Sequence, residues 1–280
     1  MITGIMVKAA IFPLHIWLPG AYAFAPSSVS VLLAATATKA SIYIIARISY
    51  TIFGGTFDLY AIDDLRFFII LLSILAMFAG TIMAIYEKDI KRLLAHSSVA
   101  QIGYILLGIS LATSTGIASG FIHLVNHALI KGGLFMSVVA MGFYIQKRVT
   151  IFSLSGIGKQ MPITFFSFIV CGLSLAGLPL TAGFISKLYL VKAAYASEGI
   201  WLCFLILLSS ALSLIYLWKM IEALWFNQEN KNDKKVKEIP EIYIPLVFIA
   251  FLNIYFGIDA SIITESSFNA AERLLEGINQ

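Results

Sequence analysis

Three proton-carrying side chains recur at a helical interval near the middle of the chain. His123, His127 and Lys131 stand at i, i+4 and i+8 in F-I-H-L-V-N-H-A-L-I-K-G-G. In a helix that spacing puts them on one face, one turn apart. The surrounding stretch, residues 116–146, is apolar and long enough to cross a bilayer. Ionisable groups are costly there and are tolerated where they face a bundle interior or a wet cavity. Two imidazoles and an amine on one stripe predict a proton relay. The competing reading is that the histidines bond neighbouring helices and Lys131 snorkels, since intramembrane polar groups also serve as packing contacts. The His123/His127 pair has zinc-like spacing, but no third ligand motif accompanies it, so no metal is assigned.

Three more lysines, Lys8, Lys39 and Lys187, lie inside apolar runs. Lys39 follows the helix start A-P-S-S by eleven residues from Ser28. That is about 16 Å along the axis, too deep for easy snorkelling, which weights it toward function. Lys8 precedes the punctuated stretch I-F-P-L-H-I-W-L-P-G, where Pro13 and Pro19 break or kink a helix. A broken helix with an internal lysine resembles transporter binding sites; alternatively Lys8 only flanks a short helix. Lys187 follows a second interruption at Gly177, Pro179 and Gly183, where Pro179 frees a carbonyl. His96 begins another apolar segment in H-S-S-V-A-Q-I-G-Y and is assigned either a relay role or a loop contact. No Asp or Glu lies in the interior of the first six apolar segments. A buried amine without an anion favours its neutral form and so exchanges protons readily. A Na⁺ or Ca²⁺ site would want oxygen ligands, usually a carboxylate among them.

The elements that must hold these residues follow from composition. The chain has 280 residues, 60% hydrophobic and 12% charged, about half the charge of a soluble domain. It is predicted to be an all-α integral membrane protein; the continuous apolar runs exclude a β-barrel. About eight transmembrane segments are expected, near 1–18, 28–53, 66–86, 93–112, 116–146, 163–192, 199–226 and 240–258, the first and sixth broken. The transmembrane domain is placed at 1–258, incomplete at its N-terminus, with a mildly amphipathic tail at 259–280. Cys171 and Cys203 are read as packing residues. Lys219 and Glu222 could pair across one turn. The net charge of +4 comes mostly from loop lysines and carries no nucleic-acid signal. The loops after segments three, five and seven hold Lys88, Lys91, Arg92, Lys147, Arg148, Lys159, Lys231, Lys234, Lys235 and Lys237. The opposite side has few bases: Arg66 beside Asp58, Asp63 and Asp64, and Arg273 in the tail. The basic loops are therefore expected in the cytoplasm, with both chain ends outside.

The motifs V-K-A-A-I-F-P-L-H-I-W-L-P-G-A-Y, A-P-S-S-V-S, T-K-A-S-I-Y, H-S-S-V-A-Q-I-G-Y, H-L-V-N-H-A-L-I-K-G-G-L-F and G-L-P-L-T-A-G-F-I-S-K together cover most of residues 4–192. In combination they resemble the proton-conducting antiporter-like subunits shared by respiratory complex I, membrane-bound hydrogenases and Mrp-type Na⁺/H⁺ antiporters. The stretches L-P-G-A-Y-A-F-A-P and M-P-I-T-F-F-S-F look most like the Mrp antiporters' D-type component. The resemblance implies a fourteen-helix inverted-repeat fold, of which this chain would hold the C-terminal eight helices. It implies a hydrated path along the membrane plane through Lys8, Lys39, His123, His127, Lys131 and Lys187. An earlier helix in the family carries a glutamate that pairs with the lysine matching Lys8. The implied function is a proton-translocating transporter subunit of a multisubunit cation/proton antiporter in the cell membrane, with other membrane subunits and the lipid bilayer as partners and Na⁺ as a further ion. The alternatives are a proton-pumping subunit of NADH-quinone oxidoreductase, driven by a redox partner, and a truncated non-conducting scaffold. The sequence carries no flavin, iron–sulfur or nucleotide motif, so no cofactor is assigned and any redox chemistry belongs to partners.

Overall fold

The computed structural model describes residues 2–52, 63–143, 149–226 and 237–276. Helices α1 (Ile2–Lys8) and α2 (Trp17–Phe24) flank a non-helical stretch that contains Pro13. Pro19 sits in the first turn of α2 and does not break it, because the first turn needs no proline N–H. The next segment joins α3 (Ser27–Leu32) and α4 (Thr38–Arg47) through a π-helical turn, Leu33–Ala37, and ends in another, Ile48–Ile52. Long helices follow: α5 (Asp63–Tyr86), α6 (Ile90–Ser110) and α7 (Ser114–Gly142). The sixth segment is interrupted, α8 (Pro162–Ala176) then α9 (Ala182–Glu198). Helix α10 (Ile200–Ile221) runs into a π turn, and α11 (Pro240–Ile258) and α12 (Ser261–Glu276) are the last described elements. Among the described residues six helical stretches are long and apolar enough to span a bilayer. With the two interrupted segments they match the expected eight. No strand occurs among the described residues; Asp89 and Thr150 form an isolated bridge.

Local signals account for the helix limits. The Asp89 carboxylate accepts from the Arg92 N–H at 3.1 Å, and the Thr113 hydroxyl from the Gly116 N–H at 3.0 Å, capping α6 and α7. Lys91 and Arg92, expected in a loop, therefore belong to the first turn of α6. Pro162 and Pro240 occupy first helical positions. Lys219 does not pair with Glu222; its Nζ donates to the Ile85 and Glu87 carbonyls, 2.9 Å each. Those carbonyls are left open by the end of α5. Arg66 reaches Glu198, which ties the start of α5 to the end of α9. Asp58, Lys147, Arg148, Lys231, Lys234 and Lys235 lie outside the described residues.

Helix α6 is almost wholly enclosed on every side, as a central helix should be, and carries the buried polar residues Ser97, Ser98 and Gln101. It packs against α5 and α7, and α7 in turn against α8, α9, α11 and α12. The outer helices expose Phe67, Phe68, Leu75, Phe204, Leu207, Phe248 and Phe251, far more apolar surface than water tolerates. Lipid is their solvent. The two middle helices thus form a shielded interior in which the polar stripe lies.

Candidate functional site

The interruption in the sixth segment builds one end of the site. Gly177 ends α8 at φ 84, a left-handed turn that glycine adopts without a Cβ penalty. A Cβ there would also stand 2.7 Å from Cδ of Lys187. Gly183, expected as part of the break, lies inside the first turn of α9. Its role is close approach: a Cβ would run into the Ser174 carbonyl. Pro179 lies in the non-helical stretch between α8 and α9. The end of α8 leaves carbonyls unpaired, and these carry the negative end of the helix dipole. Lys187 Nζ takes them, donating to Leu175 and Ala176 at 3.0 Å each, and to Ser210 Oγ at 2.8 Å. Three acceptors match the three N–H bonds of an ammonium. The Tyr104 ring lies 4.8 Å from the same nitrogen, close enough for a cation–π contact.

His123 and Lys131 both reach α6, and the His123 and His127 rings lie parallel, in keeping with the shared face that the spacing predicts. His123 bridges two helices, with Nδ1 2.7 Å from Ser186 Oγ and Nε2 2.9 Å from Gln101 Oε1. Its ring stands edge-on to Tyr104 at 5.7 Å and parallel to His127 at 6.1 Å. Ser186 Oγ is also 3.0 Å from the Gly183 carbonyl. A hydroxyl has one proton to donate. Neutral His123 with its proton on Nε2 accepts from Ser186 at Nδ1. Doubly protonated His123 donates at both nitrogens, and Ser186 turns to Gly183. Rotation of one O–H therefore accommodates both charge states. Lys131 Nζ donates to the Leu94 carbonyl at 2.8 Å and to Ser97 Oγ at 2.5 Å. His127 is fully buried, and neither ring nitrogen has a hydrogen-bond partner among the described residues. It lies within electrostatic reach of Lys39, Lys131, His123 and Lys187. A buried polar atom left unpaired costs about 1–3 kcal/mol, so an orphaned imidazole among amines is a feature that packing alone does not favour.

Lys39 is buried and donates to the Ala34 carbonyl inside the π turn. A π turn disrupts the regular hydrogen-bond ladder, which leaves this oxygen open to the amine. Lys8 stands apart: it is exposed at the end of α1. His96 is partly buried, 4.0 Å from the Glu87 carboxylate at the α5–α6 turn. Burial works to raise the Glu87 carboxyl, but the Asp89 and Lys88 N–H groups, His96 and Arg92 outweigh it and hold it below the ordinary carboxylate range. The structure thus gathers Lys39, His127, Lys131, His123 and Lys187, and leaves Lys8 outside the group. Sequence reasoning missed Ser97, Gln101 and Tyr104 as partners. Their i, i+4, i+7 spacing on α6 was the available signal. Ser186 and Ser210 had no such mark. Among the described residues no three His, Cys, Asp or Glu side chains converge.

Residues 1–213 match the family described as NADH:quinone oxidoreductase/Mrp antiporter, TM. The NADH-quinone oxidoreductase N-type component of Desulforudis audaxviator is 38% identical over 224 residues, covering 79% of this chain and 44% of the relative. The Na(+)/H(+) antiporter D-type component of Alkalihalophilus pseudofirmus is 29% identical over 278 residues, covering 96% and 54%. A chain in the solved membrane-bound sulfane sulfur reductase, an archaeal respiratory membrane complex, superposes with a TM-score of 0.87 at 32% identity, covering 99% of this chain and 55% of that one. The chain spans about half the length of the curated relatives it matches.

Proposed function

Because the chain belongs to the NADH:quinone oxidoreductase/Mrp antiporter transmembrane family, we propose that it carries protons as part of a multisubunit transport complex in the cell membrane. The observation that supports this is the enclosed series Lys39, His127 with Lys131, His123 and Lys187, each within reach of a neighbour. An excess proton at Lys39 is handed to the His127–Lys131 pair. It passes along the parallel imidazoles to His123, and past Tyr104 to Lys187. Water bridges the span around His127, whose unpaired ring nitrogens suit such a bridge. Ser186 resets after each transfer by turning between His123 and Gly183. Lys8 joins this path only where residues outside the described ones cover it.

The relatives favour two settings. In the first, the chain is the D-type component of a monovalent cation/proton antiporter, as the likeness to the A. pseudofirmus protein supports. In the second, it is a proton-pumping component of a redox complex, as the higher identity to the D. audaxviator protein supports; the electron chemistry then belongs to other subunits. Vesicles containing the whole assembly separate the two. A Na⁺ gradient that drives proton movement without an electron donor identifies the antiporter, and movement only during quinone reduction identifies the pump. Proton movement under neither condition overturns both and leaves a scaffold.

A further inference from the structure

A second polar site lies away from the stripe, on the side opposite the basic loops. A cavity of about 270 Å³ opens between α4, α7 and α12, lined by Tyr43, Arg47, Phe121, Ser266, Asn269 and Arg273. Both arginines are exposed. Among the described residues neither has a carboxylate within 4.0 Å. This face is otherwise poor in bases: the other arginine on it, Arg66, is taken by Glu198. Two guanidiniums on different helices therefore share one cavity, with no carboxylate among the described side chains in ion-pair contact with either. Arg47 is the last residue of α4, seven residues before the polar sequence G-G-T-F-D, which places it toward the end of its apolar segment, where the core gives way to headgroups. The walls divide by chemistry. Arg47, Arg273, Ser266 and Asn269 offer donors, and guanidinium forks suit phosphate oxygens. Tyr43 and Phe121 offer an apolar wall for the glycerol and the first acyl carbons.

From this arrangement we infer that the cavity seats the phosphodiester headgroup of an acidic phospholipid, which clamps α12 to α4. Phosphate supplies the missing anion, and the membrane supplies it at the right depth. The occupied cavity ties the tail helix to the helix that carries Lys39, so the lipid stabilises that side of the bundle.

Native mass spectrometry of the full chain, extracted in mild detergent with its assembly, tests this. Phosphatidylglycerol is expected to remain bound under collisional activation, and phosphatidylcholine added at the same concentration is expected to be lost. Arg47→Gln should lower phosphatidylglycerol occupancy about fivefold, and the Arg47→Gln/Arg273→Gln pair about thirtyfold. The Arg47→Lys/Arg273→Lys pair, which keeps both charges, should retain most of it. Equal retention of the two lipids in the unmodified chain overturns the inference without any variant. So does unchanged occupancy in the double glutamine variant. Displacement by millimolar inorganic phosphate would make this a free-anion site, and a carboxylate of a neighbouring chain found in the cavity would make it a protein contact; either result also overturns the inference.

Discussion

Lys187 and Lys8 each sit beside an interrupted helix, yet their surroundings differ in kind. At the α8–α9 break the freed carbonyls of Leu175 and Ala176 point at Lys187, and α10 adds Ser210. At the α1–α2 break the Val7 carbonyl is taken by the Trp17 indole N–H at 2.8 Å. Lys8, one residue further on, is exposed. The packing explains the difference. The α8–α9 segment is surrounded by α7, α10 and α11, whereas α1 packs mainly on α4. An interruption supplies unpaired oxygens, but only neighbours on the remaining sides turn them into a site for a cation.

The largest expected effect follows from removing the enclosed amine. Lys187→Ala should cut proton transport by about a hundredfold or more, while the assembly still forms on native gels; near-normal transport would remove Lys187 from the path. Gly177→Ala forces a Cβ into a left-handed turn, at about 1–2 kcal/mol, and into the Lys187 side chain. It should lower the unfolding midpoint and transport together. A variant as stable and active as the parent would mean that the turn does not position the lysine. Ser186→Ala removes one hydrogen bond, about 1 kcal/mol or roughly fivefold in rate. The loss should appear in transport and not in the amount of folded protein. If folding yield falls instead, Ser186 serves packing and not the charge state of His123. The smallest effect is expected at the exposed end: Lys8→Gln should change stability by less than about 0.5 kcal/mol. A larger loss, measured by thermal unfolding of the extracted assembly, would show that Lys8 is covered in the complex and would erase the contrast with Lys187.

Much of this contrast could not be read from the chain of letters. The membrane class, the eight segments and the two interruptions were legible, because runs of apolar residues and the Pro and Gly positions are local signals. So was the single face of His123, His127 and Lys131. The acceptors were not: Ser186 meets His123 across 63 positions, and Ser97 meets Lys131 across 34. A serine in an apolar helix carries no local mark of which neighbour it will face. The exposure of Lys8 was hidden for a related reason. In a bundle bathed by lipid both faces of a helix are apolar, so periodicity does not separate inside from outside. The pairing of Arg66 with Glu198 joins residues 132 positions apart, so no local signal marks it.

Helix α7 is fastened to α6 at two levels, by Lys131 on Leu94 and Ser97 and by His123 on Gln101. Those fastenings are about two turns apart, so tilting or sliding one helix against the other has to release both at once. The pair behaves as a fixed rail. On the path proposed above, traffic is carried by hydrogens changing owners and hydroxyls turning in place, while the backbone on either side stays still.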